Sequence, residues 1–415
     1  MKVAVISKSD RYAGGASKVA EDLALWLNQA GHLADHFVAF QSQHDRDRPE
    51  QLEQINFKPL YGNGYGEQFC RKVHQFTNRL GFRELLPVEY WFNLRQLIQD
   101  YDVIHFHDLF MSIAPATMAL VARKKPTFFT VHDCSAFTGG CLYPMDCDRF
   151  TSRCHQCPQL NQSTWKQRLR DRTGEIQSIK KYIARRFPIH YIFPSHWMSE
   201  QASLALTYQV PSMVVPNAVD LAPFTYRHKG LAKEELGIHR DRQVVLVTAL
   251  SLQDKRKGAA YAVRALQSVR DLNPLVITVG SPNPELREQL QGMEVMEMGF
   301  VSDANLMARI YSAADIMLFC SLADNLPLTI LEAMAGSCVV VGFATGGIPD
   351  MIETGRNGIL VEPRHQEALD LALRKTLTDD RLATMARQSR QDAENKFSPT
   401  LFIDRHVRLY QEAIA

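Results

Sequence analysis

Two acids separated by seven residues, Asp324 and Glu332, bracket the run Asn325-Leu326-Pro327-Leu328-Thr329-Ile330-Leu331. The run lies between apolar stretches at 316–319 and 338–341, so it reads as a loop entering a helix between two strands. Pro327 suits the first helical turn and Gly336 the C-terminal stop. The free N–H groups of that first turn, near Leu328 and Thr329, would point out of the carboxyl end of the first strand, where an open parallel sheet receives anionic ligands. Glu332 stands one to two turns in, on a run of Leu, Ile, Ala and Met. A carboxylate there needs a partner, either solvent and a neighbouring side chain or a ligand.

A second loop carries the opposite charge. Lys255, Arg256 and Lys257 precede Gly258 and a helix from 259, after a strand at 243–249. Three cations at that rim would neutralise a diphosphate, arginine as a planar fork and lysine as a point charge; a solvated charge run is the alternative. In the first half, His107-Asp108 and His132-Asp133 each close a strand, at 102–107 and 127–131, which brings imidazoles and carboxylates to one rim. Gly14 and Gly15 lie in a polar turn between the strand Val3–Ile6 and a helix at 17–29 whose Val19, Leu23, Trp26 and Leu27 recur at helical spacing. Glycines there let the backbone approach a ligand or simply make the turn. Cys141, Cys147, Cys154 and Cys157 fall within seventeen residues and end in Cys-x2-Cys. Their readings are a tetrahedral zinc, buried free thiols or oxidised pairs, and a four-thiolate zinc would be structural because it leaves no open position. No Asp-x-Asp is placed to hold a catalytic metal.

Positioning these groups takes alternating strands and helices. Strand, glycine loop, helix and strand open a doubly wound domain assigned to 1–222, a second occupies 223–397 after a linker at 223–230, and a terminal helix covers 398–415. At 415 residues the chain is long enough for two such cores. A net charge of +2 excludes a nucleic-acid binder that works by bulk charge. No run of eighteen apolar residues is long enough to span a membrane, and Met1–Ile6 reads as a buried strand instead of a signal peptide. The expected location is therefore cytoplasmic, where thiols stay reduced.

Two segments bear on a peripheral position at the inner face of the cytoplasmic membrane. One is a helix with Phe69, Val73, Phe76 and Leu80 on one face among Arg71, Lys72, Arg79 and Arg83. Its apolar face is expected on the protein core, with an anionic membrane surface as the alternative. The other, 164–187, carries Lys166, Arg168, Arg170, Arg172, Lys180, Lys181, Arg185 and Arg186 against Asp171 and Glu175. It reads as a solvated helix face, or as a surface for anionic lipid or a lipid diphosphate. Residues 41–66 are polar and glycine-rich, a surface excursion.

The acid-x7-acid pattern, followed by Ala333-Met334-Ala335-Gly336 and a valine-rich strand, resembles the signature of retaining glycosyltransferases of family 4. That resemblance implies an α/β chain of GT-B fold, two doubly wound Rossmann-like domains facing across a cleft, with the terminal helix crossing back to the first. It also implies roles: Asp324 contacts the donor sugar, the amides of the Asn325-Leu326 loop and of Leu328 and Thr329 hold the diphosphate, and Glu332 binds the ribose. Lys257 matches the family's phosphate-binding lysine, and His132 its histidine near the donor sugar. Gly14-Gly15 matches the pair facing donor phosphate or acceptor. The family's arginine falls where this chain has Ser251-Leu252, and Arg256 is the available substitute. Asp324 stands for the commoner Glu, and Ala218 for the Gly of the interdomain signature 214–220. The cysteine run ending Cys157-Pro158-Gln159-Leu160 is similar to that of family members in bacterial exopolysaccharide pathways, colanic acid synthesis among them. The implied reaction moves a sugar from a nucleoside diphosphate sugar to a hydroxyl of a growing, lipid-linked saccharide, with no catalytic cofactor. Its rivals are a sugar-nucleotide epimerase or hydrolase of the same fold, and a binding protein with an inactive cleft.

Overall fold

A computed structural model of the chain describes residues 1–40, 55–61, 64–82, 85–110, 112–160, 171–206, 212–225, 228–248, 254–280 and 284–415. Ser251, Leu252, Arg83, Lys166, Arg168 and Arg170 lie outside them, as does most of the excursion at 41–66. The chain divides into two compact units, residues 1–216 with 402–415, and residues 217–401.

In the first unit the strands are β1 (Lys2–Ser9), β2 (Leu33–Phe40), β3 (Asn56–Pro59), β4 (Val103–His107), β5 (Thr127–Thr130), β6 (Ile189–Phe193) and β7 (Ser212–Val214). They form one parallel sheet in the order β3-β2-β1-β4-β5-β6-β7. Val3 to Ile6 and Val103 to His107 are fully buried, as strands covered on both faces must be. Helix α1 (Gly15–Gln29) buries Val19, Leu23, Trp26 and Leu27, the face its spacing marks. Helix α2 (Tyr65–Arg79) does the reverse of its expectation. It buries Cys70, His74 and Thr77, while Phe69, Phe76 and Leu80 are exposed. A polar contact takes precedence over the apolar stripe: His74 meets buried Glu89 at 3.2 Å, and Glu89 also accepts from the amide of Ala114 at 2.7 Å and from the hydroxyl of Thr117. An unpartnered Glu89 would cost more than an exposed phenylalanine.

The second unit holds β8 (Val244–Thr248), β9 (Leu275–Val279), β10 (Val295–Glu297), β11 (Ile316–Phe319), β12 (Val339–Phe343) and β13 (Gly358–Val361), all parallel in the order β10-β9-β8-β11-β12-β13. In both sheets the strand order reverses once, between β1 and β4 and between β8 and β11. Ligands of open α/β sheets bind outside the carboxyl ends of strands at such points. The terminal helix Pro399–Ile414 buries Phe402, Ile403, His406, Leu409 and Tyr410, and from Phe402 onward it belongs to the first unit. There Phe402 meets Trp26 edge-on at 5.8 Å, and the Tyr410 hydroxyl lies 2.6 Å from His105 Nδ1.

Candidate active site

At the β8/β11 switch point the second unit gathers Arg256, Lys257 and Asp324. Lys255–Lys257 forms one short turn, capped by the Asp254 side chain, which accepts from the amide of Arg256 at 3.1 Å. Gly258 follows with φ +67°, and a Cβ there would stand 1.9 Å from the carbonyl oxygen of Cys320. Only glycine lets this turn press against the end of β11. The Leu322 amide then donates to the Arg256 carbonyl at 2.7 Å, pinning the two loops together. Lys257 Nζ lies 3.0 Å from Asp324 Oδ2, and Arg256 Nη1 lies 3.9 Å from the same oxygen while donating to the Ala323 carbonyl at 3.0 Å. Arg256 Nη2 also pairs with Asp254 Oδ2 at 3.2 Å, so Arg256 and Lys257 are balanced by two carboxylates and the exposed Lys255 supplies the turn's surplus positive charge.

The loop beyond Asp324 is equally fixed. The Asn325 amide lies 3.2 Å from Asp324 Oδ1, and the side chain of Asn217 donates to the Leu326 carbonyl at 3.1 Å. Gly346, at φ +59°, approaches so closely that a Cβ would stand 1.7 Å from the Asp324 carbonyl oxygen. The helix is Leu328–Ala335, with Pro327 as its N-cap and not in its first turn. Leu328 and Thr329 supply the first N–H groups, which have no partner within a helix. Gly336 is the C-cap, yet its φ of −80° needs no glycine, and the left-handed residue is Ser337 at φ +57°. Glycine is required at 336 by packing, since a Cβ there would meet Cβ of Tyr311 at 2.7 Å. Tyr311 also answers the partner question for Glu332: its hydroxyl donates to Glu332 Oε2 at 3.1 Å. Burial, then the Glu332 charge, pushes that phenol well above its ordinary pKa.

In the first unit, β4 and β5 are neighbours, so the two His-Asp ends meet as expected. His107 Nδ1 and His132 Nε2 are 2.9 Å apart with rings stacked. Burial lowers the His132 pKa to about 3 and holds His107 well below its usual value, so both imidazoles are neutral. Burial and then the neighbouring Asp133 raise Asp108 to about 6, and burial raises Asp133 as well. Gly14 and Gly15 are exposed at the start of α1, beyond the carboxyl end of β1. Gly14 has φ +142°, which a side chain rarely adopts. Its loop is tied down through Arg11, whose backbone N–H donates to buried Glu21 at 3.0 Å and whose side chain pairs with Asp22.

Cys141, Cys147, Cys154 and Cys157 form no disulfide among the described residues, and Cys154 Sγ accepts from the Gly139 amide at 3.3 Å. Burial, then a hydrogen bond to Thr138 acting the other way, leaves the Cys141 thiol raised to about 11, and the charges of the other three add to the rise. Among the described residues no three His, Cys, Asp or Glu side chains are gathered as a metal ion would hold them. Lys180 donates to the carbonyls of Ser135 and Thr138, and Lys181 to that of Ser152, so these two cations fasten the cysteine segment instead of lining a free basic face.

Sequence reasoning missed Tyr311, Asn217 as a loop anchor, and the Arg11–Glu21–Asp22 cluster. An acidic pair inside the otherwise apolar α1 was a legible signal for the last, whereas nothing local marks Tyr311, which meets Glu332 only through folding.

A family model described as "Glycosyltransferase Family 4" matches residues 13–223, and one described as "Glycosyl transferases group 1" matches 242–379. The chain belongs to glycosyltransferase family 4. An uncharacterised glycosyltransferase of Methanocaldococcus jannaschii is 22% identical over 100% of this chain and 99% of its own length. The Escherichia coli glycosyl transferase WcaC, whose name ascribes it to colanic acid biosynthesis, is 20% identical over 96% of each chain. Among solved structures, Anabaena HepE in complex with UDP superposes with a TM-score of 0.70 at 18% identity, over 99% of this chain and 100% of that one. The same protein has been solved with UDP-glucose. At that identity the likeness carries the fold, and this family 4 glycosyltransferase has the two Rossmann-like sheets of the GT-B class.

Proposed function

We propose that this glycosyltransferase moves a sugar from a nucleoside diphosphate sugar to a hydroxyl of a growing, lipid-linked saccharide in exopolysaccharide synthesis, with retention at the anomeric carbon. The observation that carries the reading is the Lys257–Arg256–Asp324 cluster at the β8/β11 switch point, beside the first turn of Leu328–Ala335. As the glycosidic bond breaks, the departing diphosphate gains negative charge. Lys257, Arg256 and the amides of Leu328 and Thr329 meet that charge with donors already in place, which lowers the barrier without reorganisation. Lys257 leaves Asp324 for the phosphate, and the freed carboxylate accepts from a hydroxyl of the donor sugar. Glu332, held by Tyr311, takes the ribose hydroxyls, and neutral His132 contributes an uncharged hydrogen bond to the sugar. The leaving phosphate itself takes the acceptor's proton, so no protein nucleophile is required.

HepE, a fold neighbour, binds UDP and UDP-glucose, which makes a uridine donor the first to try. Thermal stabilisation of the purified protein by UDP-, GDP- and ADP-sugars identifies the nucleotide. Release of nucleoside diphosphate that requires added acceptor then separates transfer from hydrolysis or epimerisation, and no turnover with any donor would mark an inactive cleft. The anomeric configuration of the product, read by NMR, tests retention. Glu332→Gln keeps the shape and removes the charge. It should cut turnover with the melting temperature unchanged, and full activity in that variant rules out the ribose role.

A further inference from the structure

Helix α2 turns Tyr65, Phe69, Phe76 and Leu80 outward on one stripe, and Trp91 and Phe92 of the segment Tyr90–Leu94 extend the same apolar display. Each of the six is between 48 and 92% exposed. Phe69 and Phe92 are packed together, ring centroids 4.9 Å apart, so the two segments form one surface. Folded monomers rarely leave so many contiguous aromatic groups in water. The helix is not free to roll them inward, because its other face is locked by His74 against buried Glu89.

The charges around this surface are predominantly positive. Arg71, Lys72 and Arg79 on α2 and Arg95 beside Trp91 are exposed cations. Arg95 lies over the Trp91 ring at 5.7 Å, and the single acid on α2, Glu67, pairs with Arg71 at 2.8 Å. Aromatic rings favour the boundary between lipid headgroups and acyl chains, and lysine and arginine flanking a helical apolar stripe add attraction to anionic lipid. We propose that this face of the first unit is a docking surface for an anionic lipid bilayer, with Phe69, Phe76 and Trp91 entering the interface and Lys72, Arg79 and Arg95 meeting lipid phosphates. Among the described residues no helix is long and apolar enough to cross a membrane, so the attachment is peripheral and reversible. The proposal stands on the first unit alone and does not depend on the transfer reaction.

The test is co-sedimentation of the full chain with phosphatidylcholine vesicles, with and without about one-third phosphatidylglycerol. The wild type should pellet with the anionic vesicles, lose binding as salt rises, and show a blue shift of tryptophan emission that Trp91→Phe removes. Lys72→Glu with Arg79→Glu should weaken binding by at least about fivefold for each cation lost. Phe69→Ser with Phe76→Ser should abolish it at unchanged circular dichroism and unchanged stabilisation by a nucleotide sugar. Because these side chains are exposed, the variants are expected to fold, and the charge-reversed pair decides the matter if the serine pair does not. Absence of wild-type binding, or equal binding by wild type and both variants, overturns the proposal. So does a wild-type dimer that the serine variant dissociates while vesicles bind neither, since the face would then be an interface between copies.

Discussion

At the carboxyl edge of the first sheet neutral imidazoles stand beside two carboxyl groups whose pKa values burial raises, and at the same edge of the second the groups are paired ions. His105, His107 and His132 are stacked along β4 and β5, joined by Thr130, Tyr410 and each other, and burial keeps them uncharged. Arg256, Lys257 and Asp324 instead sit half-exposed on turns, where water still screens them and an arriving anion can replace one partner. A buried neutral stack has low affinity for charge and gives shape and hydrogen bonds. A half-exposed ionic cluster can exchange Asp324 for phosphate at little desolvation cost. Of the two edges, the ionic cluster of the second unit is thus the one whose chemistry suits an anion.

The largest expected effect is on the ionic side. Lys257→Ala should lower kcat by about 10²–10³ while donor affinity changes less, because the lost contact strengthens as the phosphate gains charge. If steady-state kinetics show only a raised KM, the lysine anchors the ground state and Arg256 becomes the better candidate. If neither Lys257→Ala nor Arg256→Ala matters, the inactive-cleft reading gains.

Gly346→Ala should come next. It forces a side chain at φ +59° into the Asp324 carbonyl, so backbone and loop must shift, at a cost of about 1–3 kcal/mol in stability and with loss of the Asp324 geometry. Chemical denaturation and donor titration should both register it, and a variant with wild-type values would show that the loop is softer than drawn.

Acid should act on the imidazole side. His105, His107, His132 and His406 have folded pKa values below the ordinary 6.5, about 3 for His132 and about 4 for His406. Below about pH 6.5 the unfolded chain therefore binds protons that the folded chain refuses, and stability present above that pH is lost as it falls, by at most about 1.4 kcal/mol per histidine per pH unit. Asp108 and Asp133, with raised pKa values, take protons up earlier when folded and oppose the trend, but they are outnumbered by these four histidines and by His32 and His190, whose pKa values burial also lowers. All four tryptophans, Trp26, Trp91, Trp165 and Trp197, fall within 1–216, so their fluorescence reports the first unit alone. Its melting temperature should drop between pH 7 and pH 5, and a midpoint that stays put would break the contrast.

Tyr311→Phe should have the smallest effect. It removes one hydrogen bond to Glu332, worth about 1 kcal/mol, and should raise KM for the donor modestly without slowing turnover as Lys257→Ala does. A loss as large as that of the lysine variant would move Tyr311 into the reaction itself.

The sequence by itself determined what is written in local patterns. Alternating apolar runs and helices marked two doubly wound domains, since buried parallel strands must be continuous in Val, Ile and Leu. Asp324 and Glu332, Lys255–Lys257 and the two His-Asp strand ends could be read because a strand's carboxyl end always delivers its next residues to the same rim. Their pairings could not. That Lys257 meets Asp324, that Tyr311 holds Glu332, and that Gly336 serves packing and not a left-handed turn depend on residues far apart in the chain. Helix α2 makes the same point most sharply. Its apolar periodicity was legible, but which face turned inward was decided by Glu89, a buried carboxylate whose need for partners exceeds what a few exposed aromatic rings cost.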